Sequence, residues 1–207
     1  MKHMQAAAFS WWGYWKKFIV IVASVVFCDQ VTKYWAIAKL TNSFGTNSDN
    51  LAFTNKLSLF LFNKHPIGDN TVVWLDNFWR FNYVENTGAA FSFLANASIA
   101  GFRTHLLLLI ALVAMVFIIV YYRRVGKNST LLSFALMLVF SGALGNFLDR
   151  VRLGYVIDFI VWHWYNKAQW PTFNIADAAI TIGVGLMLLD TVLAPKRNKA
   201  VRLEHVK

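Results

Sequence analysis

The stretch Leu106–Tyr122, LLLLIALVAMVFIIVYY, constrains the chain more than any other, because its seventeen consecutive residues carry no charge. Extended slightly at its start, it reaches the ~20 residues with which a helix crosses a hydrocarbon core of ~30 Å. Three further apolar runs accompany it, so the predicted spans fall at about 18–40, 103–122, 131–148 and 175–193. The 57% hydrophobic and 14% charged content is spread over these runs instead of marking one dense core. That is the profile of a multi-span membrane protein. The expected fold class is an α-helical integral membrane protein with four transmembrane helices, forming a single membrane domain over 1–207.

A formal charge of +10 raises the question of a nucleic-acid partner, but the basic residues flank the apolar runs and form no stripe on a soluble domain. Orientation in a membrane explains them better. Residues 1–17, 123–130 and 194–207 hold eleven of the 20 Lys and Arg within 39 residues, so both termini are expected to be cytoplasmic. Eight of the ten acidic residues then fall on the outer side or in the outer parts of spans. Phe18–Cys28 has the apolar character of a cleavable leader, yet no small-residue cleavage site follows. The pattern continues through Asp29, Lys33 and Tyr34 to about Leu40, as expected of a retained first span. Trp11, Trp12, Tyr14 and Trp15 beside Lys16 and Lys17 have the look of an interfacial anchor. Cys28, the single cysteine, has no disulfide partner within the chain and is expected to be a buried packing residue.

Residues 41–101 form the largest non-spanning region, with the turn-rich pieces TNSFGTNSDN and HPIGDN separating short apolar runs. Leu57, Leu59 and Leu61 recur at every second position, and Trp79, Phe81 and Tyr83 alternate with polar residues. Both patterns predict β-strands. A small extracytoplasmic β-sheet resting on the membrane surface is expected between the first and second spans, followed by an interfacial segment at NTGAAFSFLANAS.

The polar residues that survive among the apolar runs are the candidates for chemistry, since ionisable groups within a bilayer are costly. Asn146, Asp149 and Arg150 are spaced i, i+3 and i+4, and Asn174 and Asp177 are spaced i, i+3. Asp29 and Lys33 stand at i, i+4, and Asp158 lies in VIDFIVW. Four chain segments thus bring polar groups to one membrane level. The pairs Asp149–Arg150 and Asp29–Lys33 admit two readings, a structural ion pair or part of a site. Asn146 and Asn174 are suited to helix–helix hydrogen bonds, and Asn174 also to capping the fourth span. Asp158 and Asp177 have no basic residue at i±3 or i±4. Two carboxylates meeting in a poorly solvated site share a proton near neutral pH, which suits peptide hydrolysis by the logic of an aspartic protease. HExxH and GxSxG are absent and the five histidines are scattered, so no metal or cofactor is expected. Gly183 and Gly185 are read as helix-packing positions.

The segments DQVTK (29–33), NTGAAFSFL (86–94), GALGNFLDRVRLGYVIDFI (142–160) and FNIADAAITIG (173–183), in that order among four spans, resemble lipoprotein signal peptidase, also called signal peptidase II. The resemblance implies an aspartic endopeptidase of the bacterial inner membrane with its active site at the periplasmic face. Such an enzyme removes the signal peptide of a prolipoprotein just before a cysteine that already carries a diacylglyceryl group. By motif position, Asp158 and Asp177 match the family's catalytic pair. Asp29, Asn86, Asn146, Asp149, Arg150 and Asn174 match its other functionally important polar positions, and Lys33 of DQVTK stands with them as a supporting residue. Gly88, with Ala89 and Ala90, is placed to let a substrate backbone approach. The implied partners are the lipidated prolipoprotein, membrane lipids and the cyclic peptide antibiotic globomycin; no nucleic acid is implied, and the chain is expected to be a monomer. One departure stands out: the 52 residues from Tyr34 to Glu85 make a longer connection than the compact one associated with the family. The alternative is a small transporter or channel with intramembrane carboxylates, but the uncharged second span leaves no polar path across the bilayer.

Overall fold

The structure is a computed structural model and describes residues 11–45, 50–65, 70–88, 100–125, 129–165 and 167–204. In chain order its elements are α1 (Trp11–Leu40), α2 (Phe53–Phe62), β1 (Thr71–Leu75), β2 (Trp79–Asn86), α3 (Ala100–Val125), α4 (Thr130–Leu153), β3 (Val156–Trp164), β4 (Ala168–Gln169) and α5 (Ile175–Glu204). Four of the helices are long and apolar enough to cross a membrane, over Trp12–Leu40, Phe102–Val125, Thr130–Leu153 and Ile175–Ala194. Their outward faces carry exposed Phe27, Val113, Phe117 and Leu188, the kind of surface a bilayer covers. Cys28 lies on such a face and is exposed, which corrects the expectation of a buried packing role.

Trp11, Trp12, Tyr14 and Trp15 belong to the first helix. Tyr14 stacks on Tyr122 of α3 with ring centroids 4.3 Å apart. Each hydroxyl donates to the other residue's backbone carbonyl, at 3.0 and 3.3 Å. These bonds fasten the start of α1 to the end of α3, so the two helices run antiparallel. At the centre, α4 packs against α1, α3 and α5. Its small residues allow the helices to close: a Cβ on Gly142 would overlap the carbonyl oxygen of Ala176, and one on Gly145 would stand 2.7 Å from Asp29 Oδ2. Gly183 packs in the same way, since a Cβ there would stand 2.8 Å from the Ala135 carbonyl oxygen, whereas Gly185 faces open space.

The strands form one antiparallel sheet in the order β1-β2-β3-β4. Asn86 pairs with Val156 and Val84 with Asp158, while Ile160 bridges to Phe173. The sheet is therefore not confined to residues 41–101, because half its strands come from the connection between the third and fourth spans. The strand expected at Leu57–Leu61 is instead the helix α2. Phe53, Leu57, Phe60 and Leu61 fall at i, i+4, i+7 and i+8, and that spacing outweighs the alternation of leucines. Phe60 is buried against Tyr34, with ring centroids 5.5 Å apart. The end of α1, α2 and the sheet share one core that includes Ile37, Leu40, Phe60, Tyr83, Ile157 and Phe159. Residues 1–10 lie outside the described residues, as do residues 89–99, which hold most of the expected interfacial segment.

Candidate active site

Two local devices at the ends of α4 and α5 build the site. Gly154 closes α4 in the left-handed conformation, at φ 86°, and its N–H donates to the Arg150 carbonyl. The chain then turns directly into β3, where Asp149 Oδ2 accepts from the Ile157 N–H at 3.2 Å. At the start of α5, Asn174 Oδ1 accepts from the Asp177 N–H at 2.9 Å, and Asp177 Oδ2 accepts from the Asn174 N–H at 3.3 Å. This is a reciprocal capping box, which satisfies two otherwise orphaned donors and fixes the aspartate on the first turn.

The same Asn174, fully buried, reaches the second aspartate. Its Nδ2 donates to Asp158 Oδ1 at 2.7 Å, and also to the Ile157 carbonyl and Asn146 Oδ1, each at 3.2 Å. Asp158 Oδ2 accepts from Asn86 Nδ2 at 2.9 Å, and Asp177 Oδ1 accepts from Asn146 Nδ2 at 2.7 Å. Each carboxylate therefore has both oxygens held, with one asparagine common to the two. Burial pushes the Asp158 carboxyl up to about 7, and the charge of Asp177 adds to the shift. The hydrogen bonds from Asn86 and Asn174 only partly offset it.

Behind this pair lies a buried ion cluster. Lys33 Nζ is 2.8 Å from Asp29 Oδ2 and 2.7 Å from Asp149 Oδ2, with all three side chains at 0–1% exposure. It also donates to Asn146 Oδ1 at 3.4 Å. Asp29 Oδ1 accepts from the Ala176 N–H at 3.0 Å. The two carboxylates thus grip the backbone N–H groups of Ala176 and Ile157, the residues immediately before Asp177 and Asp158. Asp29 and Lys33 are both an ion pair and part of the site.

Asp149 and Arg150 form no ion pair in the structure. Adjacent helical residues do not face each other, and Asp149 instead takes Lys33 and Arg152, whose Nη2 lies 3.3 Å away. The Arg150 charge acts on Asp177 and Asp158, and its Nε is buried without a hydrogen-bond partner among the described residues. Gly88 has φ +98°, and a Cβ there would stand 2.7 Å from Leu107 Cδ1. Its missing side chain therefore makes room for α3, while its N–H donates to Asn86 Oδ1 at 2.8 Å. Ala89 and Ala90 lie outside the described residues. Two contributors escaped the sequence reading. Gln30 Nε2 donates to both Asp29 and Asp149 at 3.1 Å, and Arg152 neutralises Asp149. The i+3 position of Arg152 was the available signal; Gln30 sits next to Asp29 with no spacing to mark it.

A carboxyl that holds a proton near neutrality, beside a second carboxylate, is equipped for paired general acid and base catalysis. Among the described residues, no group of three or more His, Cys, Asp or Glu is arranged to hold a metal ion.

The chain resembles known proteins over most of its length. A lipoprotein signal peptidase from Anaeromyxobacter sp. (strain Fw109-5) is 45% identical over 194 residues, covering 91% of this chain and 88% of its relative. Its counterpart from Pseudomonas syringae pv. tomato is 37% identical over 187 residues, with 90% of each chain covered. A solved bacterial membrane enzyme superposes with a TM-score of 0.62 at 29% identity, over 89% of this chain and 92% of that one. A second such structure gives a TM-score of 0.61 at 25% identity, over 85% and 92%. The family model described as signal peptidase (SPase) II matches residues 21–193, and with it the chain belongs to the signal peptidase II family.

Proposed function

We propose that this chain is an aspartic endopeptidase that removes the signal peptide from diacylglyceryl-modified prolipoproteins, cutting just before the lipidated cysteine, with Asp158 and Asp177 as the catalytic pair. The observation that carries the assignment of these two residues is Asn174, whose Nδ2 donates to the Asp158 carboxylate and whose backbone N–H donates to the Asp177 carboxylate. In this mechanism Asp177 takes a proton from the attacking water while the protonated Asp158 donates to the scissile carbonyl oxygen. Collapse of the tetrahedral intermediate returns the proton from that oxygen to Asp158, and Asp177 passes its proton to the departing amine. Arg150 lends positive charge beside the pair. Asn86 and Asn146 orient the carboxylates, and the cluster of Asp29, Lys33 and Asp149 fixes the backbone on which each is carried.

A diacylglyceryl group loses ~0.8 kcal/mol for each CH₂ withdrawn from lipid, so an enzyme for this substrate must bring its chemistry to the membrane. Carboxylates placed on the first turn of α5 and on the strand that follows α4 meet that requirement. The charge distribution supports cytoplasmic termini, which puts the sheet and the dyad at the periplasmic face of the bacterial inner membrane. The chain acts as a monomer, contacts membrane lipids and takes globomycin-type inhibitors. The transporter reading has no support from the family match, and Leu106–Tyr122 offers an ion no polar path.

The test is incubation of the purified chain in detergent with a prolipoprotein in two forms, with and without the diacylglyceryl group. Release of the signal peptide from the lipidated form alone, undiminished by a chelator, is the expected result. No release, or activity lost to chelator and restored by zinc, overturns the proposal.

A further inference from the structure

The end of the sheet away from the dyad gathers five of the chain's nine tryptophans: Trp74, Trp79, Trp162, Trp164 and Trp170. Period-two alternation puts Asp158, Ile160, Trp162 and Trp164 on one face of β3. Trp162 meets Trp79 and Phe173 edge to face, with ring centroids 5.7 and 5.0 Å apart. Trp74, Trp164 and Trp170 are 67%, 59% and 65% exposed. Between Trp79, Trp162 and Trp170 lies an open apolar groove of about 490 Å³.

A polar recess of about 380 Å³ adjoins the groove and is lined by Arg80, His163, Tyr165, Lys167 and Gln169. Arg80 Nη2 donates to Gln169 Oε1 at 3.0 Å, and Lys167 is exposed. Asp76 is the single acidic residue in 71–80 and 162–170, so the tip is cationic. β1 is exposed at all five of its residues, including Val72, Val73 and Leu75. An apolar edge strand left in water would invite pairing with other chains. Trp170 stands five residues before the start of α5, which places the groove close to where the chain enters its last span.

Tryptophan concentrates at bilayer interfaces, where its ring is apolar and its N–H finds water or headgroups. Lysine and arginine beside such rings attract anionic lipids. We infer that the tip of the sheet is an interfacial anchor, with Trp74, Trp164 and Trp170 in the headgroup layer and Arg80 and Lys167 on the phosphates of anionic phospholipids. The inference rests on the four spans and not on the cleavage chemistry. It also gives the anchor a purpose: Asp158 lies four residues along β3 from Trp162, about 13 Å at ~3.3 Å per residue. Holding the tip at the headgroups therefore sets the depth of the dyad.

The experiment uses the full chain in nanodiscs without substrate. Nitroxide labels are placed by Trp74→Cys or Trp164→Cys in a Cys28→Ser background, and their collisions with oxygen and with a water-soluble nickel chelate are measured. Headgroup-depth values at both positions are expected. Free access to nickel at both overturns the anchor, as does mutual broadening between labels on two copies, which would mark β1 as a chain–chain interface. In the same nanodiscs, spin-labelled phosphatidylglycerol is expected to associate in preference to phosphatidylcholine. That preference should fall about fivefold for each cation removed by Arg80→Ala or Lys167→Ala, and a preference unchanged in the double variant refutes the headgroup contact. Failure of the wild-type chain to cleave prolipoprotein bears on the proposed reaction and leaves these depth measurements intact.

Discussion

Replacing Lys33 with methionine removes the one cation that stands between two buried carboxylates while keeping the length of the side chain. In the native chain Lys33 Nζ lies within 2.8 Å of both Asp29 and Asp149, and none of the three is exposed by more than 1%. Without it Asp29 retains the Ala176 N–H and Gln30, and Asp149 retains Arg152, Gln30 and the Ile157 N–H. The cluster is left one negative charge in excess, and breaking a buried ion pair from one side costs about 3–5 kcal/mol. Repulsion between the carboxylates pushes apart the backbone at Ala176 and Ile157, and with it Asp177 and Asp158. A misplacement of about 1 Å at reacting groups lowers kcat about 100-fold. Adding Asp29→Asn restores the charge balance and keeps an oxygen for the Ala176 N–H, so the double variant should recover at least half of the lost stability. Denaturant unfolding in mixed micelles, read beside kcat on a lipidated prolipoprotein, measures both effects. A loss below about 1 kcal/mol with wild-type kcat, or a double variant no better than the single, refutes the coupling of the ion cluster to the dyad.

Between about pH 4 and 7 the Asp158 carboxyl, raised from 3.8 to about 7, keeps its proton in the folded chain while the unfolded chain has lost it. Its contribution to stability is full below about pH 4 and disappears as pH rises through about 7, a dependence that Asp158→Asn should remove from unfolding curves. Cleavage by the wild type should fall about tenfold per pH unit above the same value, because the acid of the pair is then ionised. Gly142→Ala drives a Cβ into the Ala176 carbonyl oxygen and should cost about 1–3 kcal/mol with a fall in kcat, whereas Gly185→Ala, which meets nothing within 4 Å, should be neutral or stabilising by ~0.5–1 kcal/mol.

The four spans were legible because bilayer thickness sets a length that an uncharged run such as Leu106–Tyr122 satisfies without help from tertiary contacts. That Asp158 and Asp177 draw partners from other segments was legible for a related reason, since carboxylates with no basic neighbour at helical spacing are costly unless another segment supplies partners. What the sequence concealed depends on contacts between distant segments. VIDFIVW is apolar on both faces because β3 is buried between β2 and Phe173, and a run of that kind carries no alternation to mark a strand. The leucines of α2 alternate by coincidence, and only packing against Tyr34 shows which of two overlapping periods is used. Lys33 was visible as a partner for Asp29, but its second bond to Asp149 spans more than a hundred residues. Asp149 was paired with the wrong arginine because Arg150 is nearer in sequence and Arg152 is nearer in space.

In the proposed mechanism Asp158 and Asp177 are the reacting groups and Asn174 holds them together. The most direct measurement is single-turnover cleavage of a diacylglyceryl-modified prolipoprotein by the wild type and by Asp158→Asn and Asp177→Asn, each variant first shown to unfold cooperatively in detergent. Signal-peptide release by the wild type and a loss of about 100- to 10,000-fold in each folded variant are the expected outcomes. Release by either variant at the wild-type rate would contradict the mechanism.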